Sequence, residues 1–178
     1  MVYDTMVFSL EGTPLGLVDV QCWARDGAEF GKKHQRKQRR IEEKESYRWV
    51  ETLREISQLS VSQRNSMVVT VADRECDIYE FLLEAQLRNA KYVIRAAHNR
   101  HILESEYKYT YAYVRARPVR GQMEVTVPRE QRTAAVKVRF SAITLCAPER
   151  LTKSKNQFNV SCWVIHVEEV EPPAGVEA

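Results

Sequence analysis

The run Ser66-Met-Val-Val-Thr-Val-Ala72, closed by Asp73, constrains this chain more than any other stretch. It is free of charge and rich in β-branched side chains, and it is too short for a buried helix, so it suits a strand covered on both faces. Directly after it, Ile78, Phe81, Leu82 and Ala85 recur at helical spacing between Glu75 and Leu87. Asp73 stands where a helix is capped, and Glu75 and Asp77 fall in the first turn, where the helix dipole favours acids. Lys91 to Ala97 reads as a second short buried strand. Strand, helix and strand in that order form a βαβ unit, so the fold class is α/β with a right-handed crossover.

Upstream, residues 2–10 and 13–23 are β-rich and are separated by Glu11-Gly12-Thr13-Pro14, which predicts an antiparallel hairpin. Between Glu42 and Leu59, Tyr47, Val50, Leu53, Ile56 and Leu59 step by three, predicting an amphipathic helix. From His98 onward the pattern changes to short alternating segments around Met123–Val127, 136–140 and 160–167, punctuated by Pro118, Gly121, Pro128 and Pro148. The chain therefore divides into an α/β region, residues 1–97, and a mostly antiparallel β region, residues 98–178. In the 136–140 strand, alternation directs Val136, Val138 and Phe140 to a core and Lys137 and Arg139 outward. Tyr107, Tyr109, Tyr111 and Tyr113 step by two and would share one face of a strand, as a packing stripe or a base-stacking platform. Glu168 to Ala178 reads as an acidic exit linker.

The apolar runs fall short of the roughly 18 residues that cross a bilayer, and the chain lacks a basic start followed by a compact apolar stretch, so no membrane partner or leader is expected. Cys22, Cys76, Cys146 and Cys162 lie at least sixteen positions apart, which suggests neither a zinc site nor a disulfide framework but reduced thiols in a cytoplasm. Net charge is only +3, yet residues 31–40 hold six cations, Lys32, Lys33, Arg36, Lys37, Arg39 and Arg40, and no acid. Residues 91–140 hold eleven Lys or Arg against four acids, Arg95 and Arg100 among them. Two basic zones in a nearly neutral chain fit a polyanion such as DNA. His34, His98, His101 and His166 follow no metal-ligand spacing and read as structural or surface residues.

Asp73, at the end of a strand and the start of a helix, occupies the position where open α/β sheets place ligand groups, and its hard oxygens suit Mg²⁺; a simple cap would look the same. The surrounding words narrow the choice. Asp73-Arg74-Glu75-Cys76-Asp77-Ile78 resembles the D-R-E-x-D-I signature of bacterial DDE transposases in the insertion-sequence-four group, which includes the transposon-five enzyme. Similar wording flanks it in order: Gly12-Thr13-Pro14-Leu15-Gly16-Leu17, Trp23-Ala24-Arg25-Asp26, Lys44-Glu45-Ser46 with Trp49, Val93-Ile94-Arg95-Ala96, and Glu171-Pro-Pro-Ala-Gly-Val-Glu177.

The resemblance implies an incomplete ribonuclease-H-like (retroviral-integrase-like) core followed by a β insertion. It implies a DNA transposition function in which three carboxylates clamp two Mg²⁺ or Mn²⁺ ions about 3.5–4 Å apart, with Asp73 as the second carboxylate, both catalytic and metal-binding. The first carboxylate lies in the family on a strand upstream of the segment matching Val2 to Leu10, and the third on a helix with a Tyr-x-x-Arg-x-x-x-Glu pattern. Tyr92-Val-Ile-Arg95 opens that pattern, but Asn99 stands where the Glu belongs. The chain is thus expected to be a middle fragment, with Asp4 and Asp19 as poor substitutes: Asp4 is on the hairpin, and Asp19 is in phase with Leu15 and Leu17. The missing first strand would leave two sheet edges bare and the fragment poorly stable. Expected partners are DNA (transposon ends and target) and a full-length transposase or a second copy, in the nucleoid-associated cytoplasm of a bacterium. The alternatives are a catalytically dead DNA-binding or regulatory remnant, and a small self-contained nuclease using Asp4 or Asp19 with Asp73.

Overall fold

The structure, a computed structural model, describes residues 2–24, 40–62, 66–104, 106–128, 130–152 and 158–173. It is mixed α/β and divides into two compact units, Met1–Ala97 and His98–Ala178. Among the described residues no helix is long and apolar enough to cross a membrane.

The first unit opens with β1 (Val2–Phe8) and β2 (Pro14–Cys22), an antiparallel hairpin. Its turn is closed by Ser9 N to Thr13 O at 2.9 Å and Gly12 N to Ser9 O at 3.0 Å, with Gly12 at φ 85°, a backbone region that costs glycine nothing. The register slips twice, leaving Val18 and Leu15 without opposite partners, and Gly16 takes φ 148° at the second slip. A bulge reverses the side-chain phase. Asp19 therefore faces the same side as Tyr3 and Thr5, half-buried, while Leu17 stays exposed, which corrects the expectation that Asp19 shares a face with Leu15 and Leu17.

Helix α1 (Tyr47–Ser62) follows a single turn of 3₁₀ helix at Ile41–Glu43. Its three-residue steps bury Val50 and Leu53, the latter 1% exposed. Strand β3 (Val69–Ala72) pairs in parallel with β4 (Lys91–Ile94), connected through α2 (Tyr79–Leu87), whose Tyr79, Phe81, Leu82 and Ala85 are buried. Arg54 on α1 grips Glu84 on α2 through two hydrogen bonds, 2.8 and 3.3 Å, and Arg88 adds a third at 2.7 Å.

Two expectations fail here. The strands are covered on one face only: Thr70, Ala72, Tyr92 and Ile94 face the helices, while Val71 is 77% exposed and Val93 is open too. Phe81 and Tyr92 meet edge to face at 5.9 Å on the covered side. The helix expected from Glu75 is a 3₁₀ turn, Arg74–Cys76, and α2 begins only at Tyr79. Asp77 causes the break. Its buried carboxylate accepts the Ala97 N–H at 2.7 Å, and Asp77 and Ile78 leave the helical backbone region. Satisfying a backbone donor here takes precedence over helix continuity.

The second unit is the antiparallel sheet β5 (Gly121–Val127), β6 (Arg132–Leu145) and β7 (Val160–Glu169), with α3 (Thr110–Arg115) packed on β6 and β7 and a helical turn α4 (Glu149–Thr152) between those strands. Ile102, Val114, Ile143, Leu145 and Val160 form its core, with Tyr113 at the edge, its hydroxyl 3.3 Å from Ser141 Oγ. The tyrosine series is not a strand. Thr110 N and Oγ1 both donate to Arg100 O at 3.0 Å and Tyr111 N donates to Asn99 Oδ1 at 2.9 Å, which starts a helix, and of the four rings Tyr107 and Tyr113 meet edge to face at 5.8 Å.

Phe140 is 42% exposed, against the core position expected for it, because the covered face of β6 changes along its length. Ala134 and Val136 are buried on one face, Ile143 and Leu145 on the other, and Phe140 lies beyond the cover of the first. Arg139, expected to face out, is largely covered and ion-paired to Glu168 at 2.6 Å; Glu169 pairs with Arg132. Glu168 and Glu169 thus end β7 and do not belong to a linker.

A candidate active-site cleft at the end of the parallel strand pair

Asp73 follows the last residue of β3 in extended conformation, and its Oδ1 accepts the Glu75 N–H at 2.9 Å. The cap fixes the carboxylate at the mouth of the turn while the residue stays exposed. It lines an open cleft of about 240 Å³ within the first unit. One wall is Tyr3 to Met6 of β1, the other Thr70 to Asp73, and α1 and α2 supply the floor through Trp49, Thr52, Leu53, Ile56 and Phe81. Arg95 is adjacent: its N–H donates to Ala72 O at 3.2 Å, continuing the β4 ladder to the level of Asp73, and its side chain is exposed.

Glu75, next but one to Asp73, receives Arg48 Nη2 at 3.2 Å. The Arg48 guanidinium also lies 5.2 Å from the Tyr3 ring centre, 5.0 Å from Trp23 and 5.8 Å from Trp49, and Tyr3 meets Trp49 edge to face at 5.0 Å. A planar delocalised cation among three rings and a carboxylate ties the hairpin, α1 and the Asp73 turn together. Burial raises the Tyr3 hydroxyl above its ordinary pKa, keeping it neutral. Burial also pushes the Cys76 thiol up, reinforced by the Asp77 and Asp73 carboxylates, so Cys76 is an inert core thiol and no nucleophile.

The other acids are arranged differently. Asp4 borders the opposite wall on the uncovered face of the hairpin. Asp19 Oδ2 accepts from Gln21 Nε2 at 2.7 Å and Thr52 Oγ1 at 2.9 Å, so it is a structural acid that pins the hairpin to α1. Among the described residues no three His, Cys, Asp or Glu side chains converge on one point. These residues therefore do not by themselves fit a two-ion Mg²⁺ or Mn²⁺ cage; Asp73 presents one carboxylate.

Of the basic candidates, Lys32, Lys33, Arg36, Lys37 and Arg39 lie outside the described residues, as does His34. Arg40 is exposed at the entry to the Ile41–Glu43 turn. Arg100 belongs to the second unit, half-buried, with its carbonyl spent on Thr110. His101 sits edge-on to Tyr109 at 4.4 Å, and His166, on β7, is held below its ordinary pKa by burial and by Arg115.

Arg48, Glu75 and Asp77 are the residues that the sequence reading passed over as architects of the site. Asp77 looks in sequence like any first-turn acid, and Arg48 carried no signal, since two of its three rings, Tyr3 and Trp23, come from a distant segment. No protein-family model matches the chain.

Proposed function

We propose that the chain is part of the catalytic core of a bacterial DDE transposase of the insertion-sequence-four type, with residues 1–97 an incomplete ribonuclease-H-like core and residues 98–178 its β insertion. The supporting observation is Asp73, exposed at the end of a parallel strand, rigidly capped and facing an open cleft. In this reading Asp73 is one of three metal-binding carboxylates and the other two come from polypeptide outside these 178 residues. Bound Mg²⁺ or Mn²⁺ would supply the acidity for phosphodiester cleavage and strand transfer. Because the described residues hold a single such carboxylate, the chain's own contribution is to orient Asp73 through the Glu75 N–H and the Arg48–Glu75 pair and to bind DNA phosphates with Lys32, Lys33, Arg36, Lys37, Arg39, Arg40 and Arg95.

Two measurements test this. In a salt titration of duplex DNA binding, changing the six cations of residues 32–40 to Ser flattens the log–log slope by about 0.9 for each lost phosphate contact; an unchanged slope removes their assignment. The genomic DNA on either side of the coding region should encode a strand bearing an Asp upstream and a Tyr-x-x-Arg-x-x-x-Glu helix downstream. Flanking DNA without both separates a non-catalytic DNA-binding remnant from the transposase reading. Mg²⁺-dependent nicking by the purified chain that vanishes in Asp73→Ala would instead establish a self-contained nuclease.

A further inference from the structure

The upper part of the β6–β7 ribbon in the second unit is covered on one face and bare on the other. Directly paired residues of antiparallel strands share a face, so the register Val138↔Val167, Phe140↔Ile165 and Ala142↔Trp163 brings these six side chains together. Trp163 is 68% exposed, Ile165 63%, Val167 53% and Phe140 42%. The residues between them alternate to the opposite face, where Tyr113 of α3 reaches Ser141 and Arg139 pairs with Glu168. None of the six carries a charge. The patch ends at the Arg132–Glu169 ion pair in one direction and at Thr144 and Ser161 in the other, an apolar centre with a polar rim. Met123, 55% exposed and opposite Val136, extends it across β5.

We propose that this face is the contact between two copies of the chain, sheet against sheet, about a two-fold axis near Ile165. The area argues for it. At those exposures, and with about 150–250 Å² for a large side chain, the open apolar surface is on the order of 500 Å² per copy, more than a monomer usually leaves in one patch. Two such faces in contact bury about 1,000 Å², where specific association begins. Charge argues the same way, because a two-fold axis sets each patch against itself and any charge in it would meet its like; this patch holds none. DNA is a poor occupant, since Lys137 and Arg139, the cations of this stretch, alternate to the other face. The Phe140 and Trp163 rings, tilted 6.0 Å apart, flank the small Ala142 and leave a hollow for a side chain of the facing sheet. Sheets packed this way lie about 10 Å apart, with strands within about 30° of each other. The inference needs only this face and holds whether or not Asp73 serves DNA chemistry.

The test is sedimentation of the intact chain over a dilution series. Ile165→Lys and Ile165→Glu should each weaken association by about tenfold or more, because each sets two like charges together at the axis. An equimolar mixture of the two variants should restore it, and Ile165→Leu should associate as the natural chain does. Because the first unit also exposes apolar side chains, the contact is located directly: Val167→p-benzoylphenylalanine, irradiated in a mixture of ordinary and isotope-labelled chains, should cross-link to residues 138–142 or 160–169 of another copy. Four results would each overturn the proposal: association weakened by Leu17→Lys but not by Ile165→Lys, no rescue on mixing, cross-links confined to residues 1–97, or a monomer that floats with phosphatidylcholine vesicles until Ile165→Lys is introduced. The last would favour a lipid surface as occupant. None of these readouts involves Asp73 or the salt slope of DNA binding, so failure of this inference is distinguishable from failure of the transposase reading.

Discussion

At Asp73 one carboxylate closes a turn and faces a cleft, and the two roles are separable. Replacing it with Ala removes the acceptor for Glu75 N–H and should cost about 1 kcal/mol in a urea titration, as for other lost caps, while Asp73→Ser retains most of the stability. A stability loss well above that would mean the carboxylate anchors more than its turn. Arg48 contributes through shape as much as charge. Arg48→Met keeps the aliphatic stem but forfeits three ring faces and Glu75, and should destabilise the first unit by about 1–2 kcal/mol. The unfolding transition can be followed by fluorescence because Trp23 and Trp49 flank the site; an unchanged midpoint would show that the cage is incidental. Asp77 illustrates the limit of local reading: an acid in a first turn looks like a dipole complement, and its actual partner, the Ala97 N–H, is twenty residues away.

The elements of the first unit are joined by the Arg54–Glu84–Arg88 group, which ties α1 to α2. The Arg54 guanidinium holds the Glu84 carboxyl below its ordinary 4.5, so the unfolded chain binds that proton more readily than the folded one. The stabilisation is complete above pH 4.5 and is lost as pH falls through the lower folded value. Glu84→Gln should be less stable than the natural chain at pH 7, and the gap between the two should close on acidification below 4.5; a gap that widens would contradict the assignment. At the same scale the hydrophobic spacing of α1 and α2 placed Val50, Leu53, Phe81, Leu82 and Ala85 on buried faces, since one helix period fixes which side chains point together, while the Leu59 side chain lies outside the described residues. The strands were harder. Alternation in β3 and β6 reports which residues share a face, and neither strand's sequence says whether that face meets another layer, so Val71 and Phe140 were expected in cores they do not reach.

At the scale of the whole molecule, large apolar side chains stand exposed on both units. Val2, Phe8, Leu15, Leu17 and Val71 stand open on the first, and Trp163, Ile165 and Val167 on the second, with Trp163 tilted against Phe140 at 6.0 Å. Together with the bare edges of β1 and β3, these surfaces favour association over solvation. The purified chain should scatter light increasingly with concentration and unfold broadly; a monodisperse monomer with one sharp thermal transition would contradict this. Raising ionic strength should not reverse the association, because the exposed groups are apolar and little screened.

The amino-acid order by itself determined the class of the fold, the hairpin, the βαβ unit and the antiparallel β region, because short-range periodicity and turn chemistry act within a few residues. It also determined that Asp73 stands at a strand end. Tertiary structure alone decided that Asp19 turns inward, since a bulge at Val18 shifts its phase; that Arg48 sits among three rings; and that β1 and β3 face each other across a cleft. These depend on backbone register and on contacts between distant segments, where small packing and hydrogen-bond differences select one arrangement from several that the same residue pattern permits.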